Sequence, residues 1–302
     1  MRGRSAPRHA GVWPRFARWV VSSAVDLIRA VVLGGLQGLT EFLPISSSAH
    51  LAIFPKFFGW DDPGAAYTAV VQIGTELAVV LYFWRDIWTI GSGWVRGVFS
   101  RHARQAPEWR MGWFIIVGSI PIVVLGLLLQ DLIDREFRNL WVIGTTLIVL
   151  GVVLGIAEKV GHKVKPIDQL NARDAVLLGA AQAGALVPGV SRSGATISMG
   201  LFLGYERAAA TRYAFLLAIP AVVGAGVYKL KDIGDGSNTY GWGPTVLGTV
   251  VAFVVGLAVI HWLLKYVSTR SYAPFVAYRI GLGALVLILV GTGAIVASTT
   301  VG

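Results

Sequence analysis

Six long apolar runs decide what this chain can fold into: Gly64 to Trp84, Gly112 to Leu129, Trp141 to Ala157, Tyr213 to Tyr228, Pro244 to Leu264 and Pro274 to Val296. A helix needs about 20 residues to cross the hydrocarbon core of a bilayer. The runs are continuous, whereas barrel strands alternate at every second residue. Only 14% of the 302 residues are charged, against roughly 25% in a soluble domain. The sequence therefore predicts an all-α, polytopic membrane protein with about six transmembrane helices.

The chain has no cysteine, which removes disulfides, thiol catalysis and thiolate metal sites from consideration. Its net charge of +10 comes from basic residues in loops and at span ends. That placement fits lipid headgroups and orientation rules, not nucleic acid. Residues 1–20, with Arg2, Arg4, Arg8, Arg15 and Arg18, read as a disordered basic tail ahead of a single membrane domain, 21–302. No signal-peptide cleavage is expected. Lys and Arg number five in the Arg85 to Arg110 loop, four from Lys159 to Arg173 and two from Lys265 to Tyr272, against two each, with more acid, in the alternate loops Asp131 to Leu140 and Lys229 to Gly243. The first set is expected on the cytoplasmic side, although the Arg-rich tail opposes that orientation.

Two apolar stretches do not read as simple spans. Val20 to Phe58 contains QGLTEFLPISSSAH (Gln37 to His50), and Ala175 to Leu203 contains QAGALVPGVSRSGAT (Gln182 to Thr196). Both run Gln, short apolar helix, Pro, one or two residues, Ser-x-Ser, small residue. This is an internal repeat, with halves of about 21–160 and 170–302. An odd number of crossings per half would invert the two halves, and paired, interrupted hydrophobic segments at corresponding places in them point to a midplane binding site built from broken helices.

Broken backbone in the hydrocarbon region is tolerated only where it is packed in protein or lines a polar cavity. Pro44 and Pro188 stop their helices. Ser46, Ser47 or Ser48 in one copy, and Ser191 or Ser193 in the other, are placed to cap the helices that follow. Gly189 and Gly194 allow close backbone approach. Two helix N-termini facing one cavity make an anion site, and Arg192 adds a fork that suits phosphate. Gln37 and Glu41 share a helix face, Glu76 lies inside a span, and His50 follows one turn after the serines. This set suits phosphoryl transfer, in which a serine or a water attacks phosphorus while a base takes the proton. There is no Walker loop. A divalent cation, Mg or Ca, could bind through Glu41 and phosphate oxygens; no dedicated metal cage and no organic cofactor are read.

The two motifs, with FLLAIP at Phe215 to Pro220, resemble the undecaprenyl-diphosphatase family linked to bacitracin resistance, from about Leu27 to the C-terminus. The resemblance implies a bacterial plasma-membrane enzyme that hydrolyses undecaprenyl diphosphate to undecaprenyl phosphate and inorganic phosphate, serving peptidoglycan synthesis, and a fold of membrane helices with two re-entrant helical hairpins in inverted repeat. It implies a catalytic set of Glu41, Ser47, His50 and Arg192, with Ser47 as nucleophile, and phosphate contacts from Ser46, Ser48, Ser191, Ser193 and Thr196. Gln37 stands where many members carry glutamate, so a two-carboxylate clamp through that position is not expected, and Glu76 is the candidate to compensate. The expected partners are a polyprenyl diphosphate and membrane lipids, with a homodimer left open. The reading from another class is a transporter or flippase of the same lipid, since broken helices in inverted repeat also serve transport.

Overall fold

The computed structural model describes residues 13–60, 64–129, 139–229 and 241–297. Among them are eleven α-helices and no β-strand. They are α1 Trp13–Phe42, α2 Ser47–Phe57, α3 Gly64–Tyr82, α4 Trp84–Phe99, α5 Pro107–Leu128, α6 Leu140–Val160, α7 Ala172–Ala183, α8 Arg192–Phe202, α9 Arg207–Lys229, α10 Trp242–Val267 and α11 Ala273–Gly291. Helix α5, α6, α10 and α11 are each long and apolar enough to cross a membrane; α3 and α4 make a fifth span if counted together across the 70° bend between them. The chain is a multi-pass membrane protein.

Two local expectations are revised. Helix α1 starts at Trp13, inside the segment read as a tail; residues 1–12 lie outside the described set. The Arg85 to Arg110 segment, read as a loop, contains α4 and a short turn at Ala103–Gln105. A charge tally hides the period of α4. Gly93 and Gly97 face α5, and a Cβ on Gly97 would lie 2.2 Å from the Trp109 ring. Trp84, Trp88, Val95 and Phe99 form an outward apolar stripe, with Arg85 and Arg96 along its flank. The loops Asp131 to Leu140 and Lys229 to Gly243 fall largely outside the described residues.

Small residues set the helix packing, as they must where lipid removes the hydrophobic drive between helices. Helix α10 receives α1 on one side and α3 on another. A Cβ on Gly34 would sit 2.2 Å from the Gly248 carbonyl oxygen, and one on Gly74 would sit 2.3 Å from that of Thr249. Helix α7 meets α5 equally closely: a Cβ on Gly179 would sit 2.1 Å from the Gly118 carbonyl oxygen. Between these pairs lies a shared core. Phe42, Leu43 and Ile45 of the first half pack with Ile197, Leu201 and Phe215 of the second, and the Phe42 and Phe215 rings meet edge-on at 5.5 Å. Because this core joins both halves, it fixes how the two broken segments approach each other.

Replacing Gly34 by valine should destabilise the protein by roughly 1–3 kcal/mol through forced backbone separation. Gly281→Val, where an added Cβ meets nothing within 4 Å, should be close to neutral. Thermal unfolding in detergent, followed by monodisperse size-exclusion signal, checks the contrast.

Candidate active site

Both broken segments end in the same backbone. Ser46 precedes α2 at φ 73°, ψ 99°, and Ser191 precedes α8 at φ 73°, ψ 120°. Positive φ is strained for a residue bearing a Cβ and persists only where surroundings enforce it. The repeat extends to side chains: Ser46 and Ser48 hydroxyls lie 3.1 Å apart, as do those of Ser191 and Ser193. In this register Ser47 and Arg192 hold the same position, the first residue of the helix after the break.

Those two residues converge on Glu41. The Ser47 hydroxyl donates to Glu41 Oε2 at 2.6 Å, and the Arg192 guanidinium pairs with Glu41 Oε1 across 151 residues of chain. Gln37 Nε2 donates to the same carboxylate at 2.9 Å and lies 3.4 Å from the Thr75 hydroxyl. The four-residue spacing read from sequence thus makes Gln37 a donor that orients Glu41. Glu76 is buried and lines the same cavity as Glu41, Thr75, Arg192, Ser193 and Phe215. The cavity wall is apolar except where these groups break it.

The remaining predicted residues take distinct places. Ser193 donates to the Leu43 carbonyl at 3.1 Å, tying the second tip to the first. Ser191 caps α8 by accepting from the Gly194 amide at 3.1 Å. Ser46 occupies the corresponding position before α2, but its hydroxyl makes no cap and faces Ser48, leaving that helix end without a side-chain acceptor. Ser48 is exposed. Thr196 is fully buried with no protein partner for its hydroxyl, and so is the amide of Gln182, the repeat counterpart of Gln37. His50 is not on Ser47 or Glu41: its Nδ1 lies 2.7 Å from the Ser46 carbonyl and its Nε2 2.8 Å from the Tyr278 hydroxyl.

Two residues escaped the sequence reading. Arg279 of α11 is fully buried and donates to the carbonyls of Pro44 at 2.9 Å, Gly189 at 2.8 Å and Val190 at 3.0 Å. Its guanidinium therefore satisfies backbone that both breaks set free, and its fork spans the two tips. The available signal was an ionisable residue within an apolar run. Tyr278, its neighbour, carried no such signal.

Fold and site together define a class: multi-pass membrane proteins whose helices are interrupted at two places that bring serines, a carboxylate and an arginine together. The chain belongs to the family described as bacitracin resistance protein BacA, whose model matches residues 30–285. It is 65% identical over 273 residues to a protein of a Nocardioides species named undecaprenyl-diphosphatase, covering 90% of this chain and 100% of the relative. A protein of the same name from Micrococcus luteus is 58% identical, covering 89% and 98%. Undecaprenyl-diphosphatase 2 of Streptomyces coelicolor is 52% identical, covering 87% and 94%.

Removing the guanidinium of Arg279 leaves buried carbonyls without donors, each costing about 1–3 kcal/mol. Arg279→Met should therefore lower thermal stability by roughly 3 kcal/mol or more. Arg279→Lys, which cannot span both tips, should recover only part; the same unfolding assay reads both.

Proposed function

We propose that this chain hydrolyses undecaprenyl diphosphate to undecaprenyl phosphate and inorganic phosphate, returning the lipid carrier to cell-wall synthesis in the bacterial plasma membrane. The relatives' shared name supports the substrate. The observation that carries the chemistry is the Ser47 hydroxyl 2.6 Å from Glu41, with Arg192 of the opposite tip on the same carboxylate. A transport reading is not favoured, since translocation needs no hydroxyl placed on a carboxylate.

In this mechanism Ser47 Oγ attacks the terminal phosphorus as Glu41 accepts its proton. The bond from that phosphorus to the bridging oxygen breaks, and undecaprenyl phosphate leaves with the electron pair. Glu41 passes that proton to the departing undecaprenyl phosphate; water then attacks the phosphoserine and gives a proton to Glu41, which returns it to the Ser47 oxygen as phosphate departs. Arg192 and the uncapped amides at the start of α2 stabilise charge on the equatorial oxygens. Ser46, Ser48, Ser191, Ser193, Gly194 and Thr196 shape the phosphate pocket, and His50 completes the nucleophile's tip.

Among the described residues no three acidic or histidine side chains gather as a metal cage. Glu41 and Glu76 on one cavity wall fit a cation such as Mg or Ca that takes one or two carboxylates and its remaining ligands from substrate phosphate and water. Such an ion would offset phosphate charge. The matching strained serines and serine pairs support two re-entrant hairpins in inverted repeat, carried within about six spans.

Phosphate release from undecaprenyl diphosphate in detergent tests the reading. Ser47→Ala and Glu41→Gln should each cut turnover by about 10²–10⁴, and Arg192→Ala by about 10³. Wild-type activity retained in Ser47→Ala would leave attack to water instead. Glu76→Gln should require more divalent cation for half-maximal activity, and an unchanged requirement would remove Glu76 from the site.

A further inference from the structure

The two tips share one strained backbone yet hold it by different means. At the second tip Ser191 is secured by its own cap on Gly194 and by Arg279 on the Gly189 and Val190 carbonyls. At the first, the Ser46 hydroxyl makes no cap. Its carbonyl instead accepts from both the backbone amide and the ring Nδ1 of His50, at 3.3 and 2.7 Å. The matching position after the second break is Ala195, so this ring contact belongs only to the tip that carries Ser47.

The tautomer follows from the partners. A carbonyl only accepts, so Nδ1 carries the proton, and in the neutral ring Nε2 is then an acceptor. The Tyr278 hydroxyl, 2.8 Å away, donates to it. The two rings are parallel within 5° at 5.6 Å. His50 is buried; the charged groups bonded to this tip are Arg279, on the Pro44 carbonyl, and Glu41, which accepts from Ser47.

We infer that Tyr278 is a positioning residue for the phosphatase site: its hydroxyl fixes the orientation and tautomer of His50, which in turn holds the strained Ser46 and so aims the hydroxyl of Ser47. Helix α11 then grips the first tip twice, through Arg279 on Pro44 and through Tyr278 on His50. This inference rests on the reading of Ser47 and His50 as part of a phosphatase site.

The test uses the full-length protein with ¹⁵N-labelled histidine, His50 being assigned by loss of its signal in His50→Gln. Wild type should show a neutral His50 ring protonated at Nδ1, with Nε2 shifted by an accepted hydrogen bond. In Tyr278→Phe the Nε2 resonance should move to that of an unbonded nitrogen. With undecaprenyl diphosphate as substrate, kcat should fall roughly 10-fold while KM stays within about twofold, in line with orienting partners elsewhere. In a His50→Gln background Tyr278→Phe should cost nothing further, because its effect runs through the ring. An unchanged His50 spectrum, or a loss that multiplies with that of His50→Gln, overturns the inference. If wild type releases no phosphate, the phosphatase reading fails, while the spectrum still decides whether Tyr278 sets the state of His50.

Discussion

The structure depends on one buried guanidinium. Interrupting two helices inside an apolar body frees carbonyls that have no water to turn to. Arg279 meets that demand from a third helix, donating to Pro44 of one tip and to Gly189 and Val190 of the other. Because its fork is rigid, satisfying those carbonyls also fixes the distance between the tips. A residue that solves a backbone problem thereby sets the geometry of the two tips.

Within that frame the repeat explains the division of labour. The first position of each new helix is Ser47 in one copy and Arg192 in the other. A nearly symmetric scaffold thus delivers a hydroxyl and a guanidinium to the two oxygens of Glu41. Asymmetry enters around them: Glu41 and His50 belong to the first tip, and the cap on Gly194 to the second. In the proposed mechanism the first tip carries the reacting groups and the second holds charge.

Much of this was legible in the sequence. Continuous apolar runs gave the membrane class, and Pro44 and Pro188 followed by Ser-x-Ser gave two breaks and their pairing. The meeting of Glu41 with Ser47 and Arg192 follows once both breaks must share one polar cavity. Other features were hidden for physical reasons. Arg279 lies in a run whose hydropathy swamps a single charge, and its partners are carbonyls, which leave no mark in a side-chain pattern. The role of Gln37 was readable only as a missing carboxylate, whereas in space its amide orients the carboxylate that is present. Helix α4 is hidden in a charge count, which discards the angular order of residues around a helix.

The central claim is that two tips, half a chain apart, act as one phosphoryl-transfer site. A double-mutant cycle on kcat/KM between Ser47→Ala and Arg192→Ala, with undecaprenyl diphosphate as substrate, tests it most directly. Groups that act as a unit are strongly non-additive, so the double variant should be no slower than the slower single variant by more than about twofold. Losses that multiply would show the two tips working independently and would contradict the account.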